Sequence, residues 1–174
     1  MTNYSSTAKL FHWLIAALIV AQHVLAKLAE YAGQQNKALD QLAILGNHKS
    51  VGMTILLLAI ARLAYRYFHT PPALPTEMPA WQKKASNISH VLLYGFLFAL
   101  PISGWLMSSA KAFSVSWFNL FAFPDLLNPS ESLAENLYLV HHYLADALFI
   151  IALIHILAAL KHHFIDKDDI LKRM

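Results

Sequence analysis

Two histidines, His141 and His155, sit in one apolar run, Tyr138 to Lys161, which reads YLVHHYLADALFIIALIHILAALK. Fourteen residues of α-helix rise roughly 21 Å and, at 100° per residue, return to within about 40° of the starting face. Both imidazoles therefore look the same way, separated by about two thirds of a ~30 Å hydrocarbon layer. Ionisable side chains inside a spanning helix are costly and mark functional sites by default. Neutral imidazole is a common metal ligand, so a pair in this register points to one metal centre near each membrane face.

Composition narrows the chemistry. The chain has 174 residues, of which 57% are hydrophobic and 13% charged. A soluble domain of this size carries charged residues near 25%, so this chain belongs in lipid. It has no cysteine, which removes disulfides, thiolate metal sites and cysteine-ligated iron–sulfur clusters. Any metal must be held by nitrogen or oxygen. Ten histidines are a heavy load for a membrane protein, and they gather near the ends of the apolar runs.

The elements that position them are four spans, at about residues 9–29, 48–68, 87–108 and 137–161. The first, LFHWLIAALIVAQHVLA, lacks a basic n-region and a small-x-small cleavage site and is expected to be a retained helix. The second carries Arg62 and Arg66 at its far end and is stopped by TPPALPTEMP, because proline cannot continue a helix and disfavours it in the preceding residue. Pro101 predicts a kink in the third. Between the third and fourth, AFSVSWFNLFAFPDLLNPS is expected to lie as an interfacial segment, its aromatic rings in the headgroup region. No internal repeat or separate soluble domain is legible, so residues 1–174 are expected to form one transmembrane unit.

Lysine and arginine give the orientation. With both termini cytoplasmic, the inner segments hold Lys9, Arg62, Arg66, Lys83, Lys84, Lys161, Lys167, Lys172 and Arg173, and the outer ones Lys27, Lys37, Lys49 and Lys111. That bias obeys the positive-inside rule. It predicts an all-α integral membrane four-helix bundle with both termini cytoplasmic. His12, His90, His155, His162 and His163 then fall on the inner side, and His23, His48, His141 and His142 on the outer. Two imidazoles from facing helices at matched depth are what a six-coordinate haem b needs, with apolar packing around the porphyrin. Zinc asks for a third or fourth ligand, and Asp146 offers the one carboxylate within a span. A lone histidine in a membrane helix is as readily explained by a hydrogen bond to a neighbour, but histidines on all four spans at two depths favour a two-haem cytochrome.

Several motifs then fall into one order: the opening Phe11-His12-Trp13, the second-span start His48-Lys49-Ser50-Val51-Gly52, Pro71-Pro72, Leu100-Pro101-Ile102-Ser103-Gly104, and His141-His142 separated from His155 by twelve residues. In these the chain resembles the bacterial cytochrome b561 family over nearly its whole length. The resemblance implies a multi-pass, inner-membrane cytochrome with two haem b groups that exchanges electrons with ubiquinone. One member of that family is a superoxide:ubiquinone oxidoreductase, and more distant relatives anchor hydrogenases and formate dehydrogenases. It also implies the ligands, His12 with His155 for the inner haem and His48 with His141 for the outer. Depth alone admits His90 as a rival at the inner level. His23, about 20° off the face of His12 and roughly 16 Å higher, rivals His48. The family pattern uses neither.

Other residues carry further expectations. Arg62 follows His48 by the interval that separates His141 from His155, which puts it at the inner level, facing the core. There a guanidinium suits a haem propionate, while Arg66, one turn on, is a snorkelling anchor. Lys49 is a second propionate candidate, or an attractor of an anion such as superoxide. His90, Arg62 and Asp146 are the candidates to bind or protonate a quinone, and Asp146 can also accept from His142. His162 and His163 read as a solvated helix end. Three functions fit: a free-standing oxidoreductase taking electrons from superoxide or another donor, a haem b anchor and electron-transfer subunit of a larger dehydrogenase or hydrogenase, and a histidine-rich metal-ion transporter. The expected partners are membrane lipid, quinone and superoxide, with no nucleic acid and a homodimer as the expected oligomer.

Overall fold

The computed structural model describes residues 3–168 and 170–174. Four long helices carry the chain, α1 (Ser6–Gln34), α2 (Ala38–Phe68), α3 (Ala80–Ala110) and α4 (Glu131–Lys161). All four are long and apolar enough to cross a membrane. The protein is an all-α, multi-pass membrane bundle, because an isolated span can satisfy its backbone only within its own helix. Each helix overruns the apolar stretch that announces it. AEYAGQQNKALDQLAILGN, polar by composition, is helical on both sides of a turn at residues 35–37, since alanine, leucine, glutamine and lysine are good helix formers. Asn36 takes the left-handed conformation there (φ 57°), which asparagine tolerates. Ser5 caps α1, its hydroxyl accepting from the Ala8 N–H. Helix α3 runs unbroken through Pro101.

Helix α1 packs along α2, α3 along α4, and α2 bridges to α3. The core cluster is Ile15, Ile55, Ala59 and Leu97, from α1, α2 and α3. No residue of α4 belongs to either core cluster among the described residues. Toward α1 and α2 the rings of α4 are His155 facing His12, His141 facing His48 and Phe149 stacked on His23. Large apolar side chains such as Val20, Ile60 and Ile150 are exposed, as expected of faces solvated by lipid.

The termini meet at one end. The Tyr4 N–H donates to the Arg173 carbonyl, the Trp13 indole donates to the Met174 carbonyl, and buried Arg173 donates to the Ala73 carbonyl in the proline-rich linker.

At the other end, the segment expected to lie along the interface is instead a hairpin folded onto the bundle. Ser116–Trp117 pairs antiparallel with Phe121–Ala122 across a turn whose central residues, Phe118 and Asn119, both have positive φ. Residues 118–120 form a three-residue loop closed by the Leu120 N–H donating to the Trp117 carbonyl, and positive φ is an unfavourable conformation for phenylalanine. Its anchor is on α2. The buried Ser50 hydroxyl accepts from the Phe118 N–H at 2.9 Å and lies 3.0 Å from the Ser116 carbonyl, and the Trp117 indole donates to Thr54 Oγ1 at 3.0 Å. Val115 packs beside Met53 and Leu56. Serine at position 50 thus holds a strained turn. Ser50→Ala leaves the Phe118 N–H without its acceptor, which costs about 1–3 kcal/mol. The expected outcome is faster proteolysis within residues 112–124 with the four helices intact by circular dichroism, and an unchanged cleavage rate would show that the hairpin stands without this anchor.

Candidate functional site

Two pairs of imidazoles face one another inside the bundle. His48 of α2 and His141 of α4 have ring centroids 6.3 Å apart with planes crossed at 76°, and His12 of α1 and His155 of α4 lie 6.4 Å apart at 60°. All four are partly buried. An imidazole nitrogen lies about 2.0–2.1 Å from a bound first-row metal, and adding the ring radius on each side puts the centroids of two rings that share an ion about 6.3–6.5 Å apart. Both pairs have that separation. His90 of α3 is 5.6 Å from the His155 ring, too close for an ion between them, and its Nδ1 is 3.5 Å from Ser86 Oγ. His23 stacks on Phe149 at 5.4 Å and is exposed; no second imidazole faces it among the described residues.

Neither pair is joined by a third ligating side chain. Among the described residues, the one group of three or more candidate ligands is His162, Asp166 and Asp168 at the far end of the chain. Two imidazole nitrogens alone do not complete the coordination of zinc or iron, so a metal held by either pair would need further donors from elsewhere. A porphyrin supplies four coplanar nitrogens. The donor set and spacing at both levels fit haem b.

The residues around the pairs differ by level. Arg62 reaches into the His12–His155 pair, its guanidinium 3.4 Å from His12 Nδ1 and 5.3 Å from the centre of the Tyr94 ring. Arg66 is exposed and lies 5.9 Å from the centre of the same ring. At the His48–His141 pair, Ser103 Oγ is 3.0 Å from His141 Nδ1. A Cβ on Gly104 would lie 3.1 Å from His141 Cε1 and 3.4 Å from Nδ1, so glycine lets the ring lie against the α3 backbone. His48 Nδ1 and Gln22 Oε1 are buried without hydrogen-bond partners. Lys49 turns to the hairpin side, donating to the Phe113 carbonyl at 3.5 Å and lying over its ring.

Two sequence expectations meet different surroundings. His142 packs against Tyr138 at 4.6 Å, and no hydrogen bond joins it to Asp146 among the described residues. Both are exposed, on the side of α4 turned from the imidazole pairs. His162 is no freely solvated helix end. Its ring is 15% exposed and bonds Asp168 at 2.7 Å, with Asp166 at 3.2 Å, because one turn of π-helix over His162–Asp166 folds the tail back. Tyr94, Ser103, Gly104 and Gln22 carry no expectation from spacing. A serine and a glycine just past a proline within an apolar run were the available signal for the α3 pair.

A four-helix membrane bundle with neutral imidazole pairs crossing its interior is a membrane cytochrome b, a haem protein that moves electrons. The family model described as prokaryotic cytochrome b561 matches residues 3–174. The chain belongs to that family. It is 35% identical to cytochrome b561 homolog 2 of Escherichia coli K12, over 99% of this chain and 90% of that protein. It is also 27% identical to cytochrome b561 homolog 1 of the same organism, over 100% and 97%. To the probable superoxide oxidase CybB of Yersinia pestis it is 29% identical, over 99% and 95%.

Gly104→Val puts a branched side chain where the His141 ring lies. The expected outcome is less haem b bound per chain, read as pyridine haemochromogen absorbance, with helix content retained. Unchanged haem content would show that the ring has room to move.

Proposed function

We propose that this cytochrome holds two haem b groups, His12 with His155 binding one and His48 with His141 the other, and passes electrons across the membrane to ubiquinone. The observation that carries this is the pair of centroid separations, 6.4 and 6.3 Å, at two levels of one helix. Haem supplies a one-electron couple, and ligation by imidazole on both sides closes the iron to dioxygen.

The donor in this reading is superoxide, the substrate in the name of one relative. Two superoxide anions yield one electron each and leave as dioxygen, and one quinone takes two electrons and two protons to become quinol. Lys49 and Lys111 flank the hairpin at the outer mouth, and cations there raise the local concentration of an anion. At the inner end His90 and Arg62 stand beside the His12–His155 pair, where a quinone needs hydrogen-bond donors and protons. Asp146, exposed at mid-depth on α4, is the third proton candidate. In this reading the joined termini face the cytoplasm, which the positive-inside bias supports, and the membrane is the bacterial inner membrane.

Detergent-purified protein is expected to contain two haem b per chain and to reduce ubiquinone when mixed with superoxide. His141→Phe and His155→Phe are each expected to lose one haem. His90→Phe is expected to slow quinone reduction and keep both. One haem per chain, or pigment indifferent to both ligand substitutions, would overturn the proposal. Co-purification of a soluble dehydrogenase subunit, with no response to superoxide, would identify an anchor subunit instead.

A further inference from the structure

Ser103 is buried, 6% exposed, in the C-terminal half of α3. Ser50, Ser108 and Ser109, the other buried serines, all bond the loop that joins α3 to α4. Ser103 bonds none of it. Its Oγ lies 2.9 Å from the Leu100 carbonyl and 3.0 Å from His141 Nδ1. A carbonyl oxygen can only accept, so the single hydroxyl proton points to Leu100. What remains for His141 is the Ser103 lone pair. An imidazole nitrogen facing a lone pair must carry the proton, which places it on Nδ1 and leaves Nε2 free to bind a metal.

The surroundings hold this arrangement. The α3 backbone at Gly104 limits the ring on one side, since even a Cβ would lie 3.1 Å from Cε1. The inner pair lacks such an acceptor: what lies 3.4 Å from His12 Nδ1 is Arg62, which cannot accept, so with a metal on Nε2 the guanidinium would act there as a nearby charge and not as a hydrogen-bond partner. Among the described residues no other member of the two pairs has a side-chain acceptor at Nδ1: His48 Nδ1 is unpartnered.

We propose that Ser103 is the positioning residue of His141, fixing its Nδ1–H tautomer and ring orientation and raising the basicity of Nε2. The proposal rests on His141 being an axial ligand. A more basic ligand favours the ferric state, so the Ser103 bond lowers the potential of the outer site. A guanidinium beside His12 disfavours the extra positive charge of the ferric state and raises the inner one. Electrons then run downhill from the outer level to the inner.

The test is a redox titration of detergent-purified holoprotein carrying Ser103→Ala, Ser103→Val or Ser103→Thr, alongside the unsubstituted chain. Alanine and valine are expected to raise the lower of two midpoint potentials and leave the higher in place, and threonine, which keeps the hydroxyl in nearly the shape of valine, to restore it. If alanine and valine weaken binding instead, haem affinity at the outer site is expected to fall about 10–100-fold, with threonine again restoring it. The proposal is overturned if all three variants keep two haems at unchanged potentials, if threonine behaves as valine does, or if the higher potential is the one that moves. Failure of the two-haem reading shows separately, as fewer than two haems in the unsubstituted chain or as both retained in His141→Phe.

Discussion

An imidazole inside a bilayer is costly, and this bundle turns four of them inward as two facing pairs. Hydrophobic burial does not bring α4 to α1 and α2, since lipid tails are as apolar as leucine and no α4 residue belongs to either core cluster among the described residues. Facing rings at 6.3 and 6.4 Å mark where α4 meets the other two. The apolar core seals α1, α2 and α3 into a platform. Helix α4 packs along α3 and turns His141 and His155 toward His48 of α2 and His12 of α1.

The ends of the molecule are closed by different means. At the hairpin end, serine and threonine hydroxyls of α2 hold a turn that phenylalanine would not adopt alone, and aromatic rings of the hairpin pack onto α3. At the opposite end the two termini and the proline-rich linker are tied through Arg173, Tyr4 and Trp13. Both closures are polar contacts at the edge of an apolar body. There a hydrogen bond adds stability without the cost of burying an unpaired group in lipid.

Much of this was legible before any coordinates. Four apolar runs gave four helices, and the interval between His141 and His155 placed two rings on one face of α4 by helical geometry alone. Arg62 stands beside His12 because the interval from His48 to Arg62 repeats that geometry in α2. The helix ends were hidden because apolar content marks the membrane-spanning part of a helix and not the part that projects beyond it. The hairpin was hidden because Phe118 and Asn119 resemble no common turn pair, and what stabilises them is Ser50, far away in the chain. Ser103, though part of a motif, and Gln22 had no legible role for a similar reason: a polar side chain in an apolar run gains meaning from the ring beside it, and spacing along one helix cannot say which ring that is. His90 and His155 lie at equal depth, and only their 5.6 Å separation distinguishes them from the wider pairs.

Low-temperature electron paramagnetic resonance of the oxidised holoprotein tests the central claim most directly. With each pair holding one haem iron, as proposed, the crossed imidazole planes are expected to give two low-spin ferric signals of the strongly anisotropic type, with no high-spin component. A single low-spin species, or a high-spin signal of stoichiometric intensity, would contradict it.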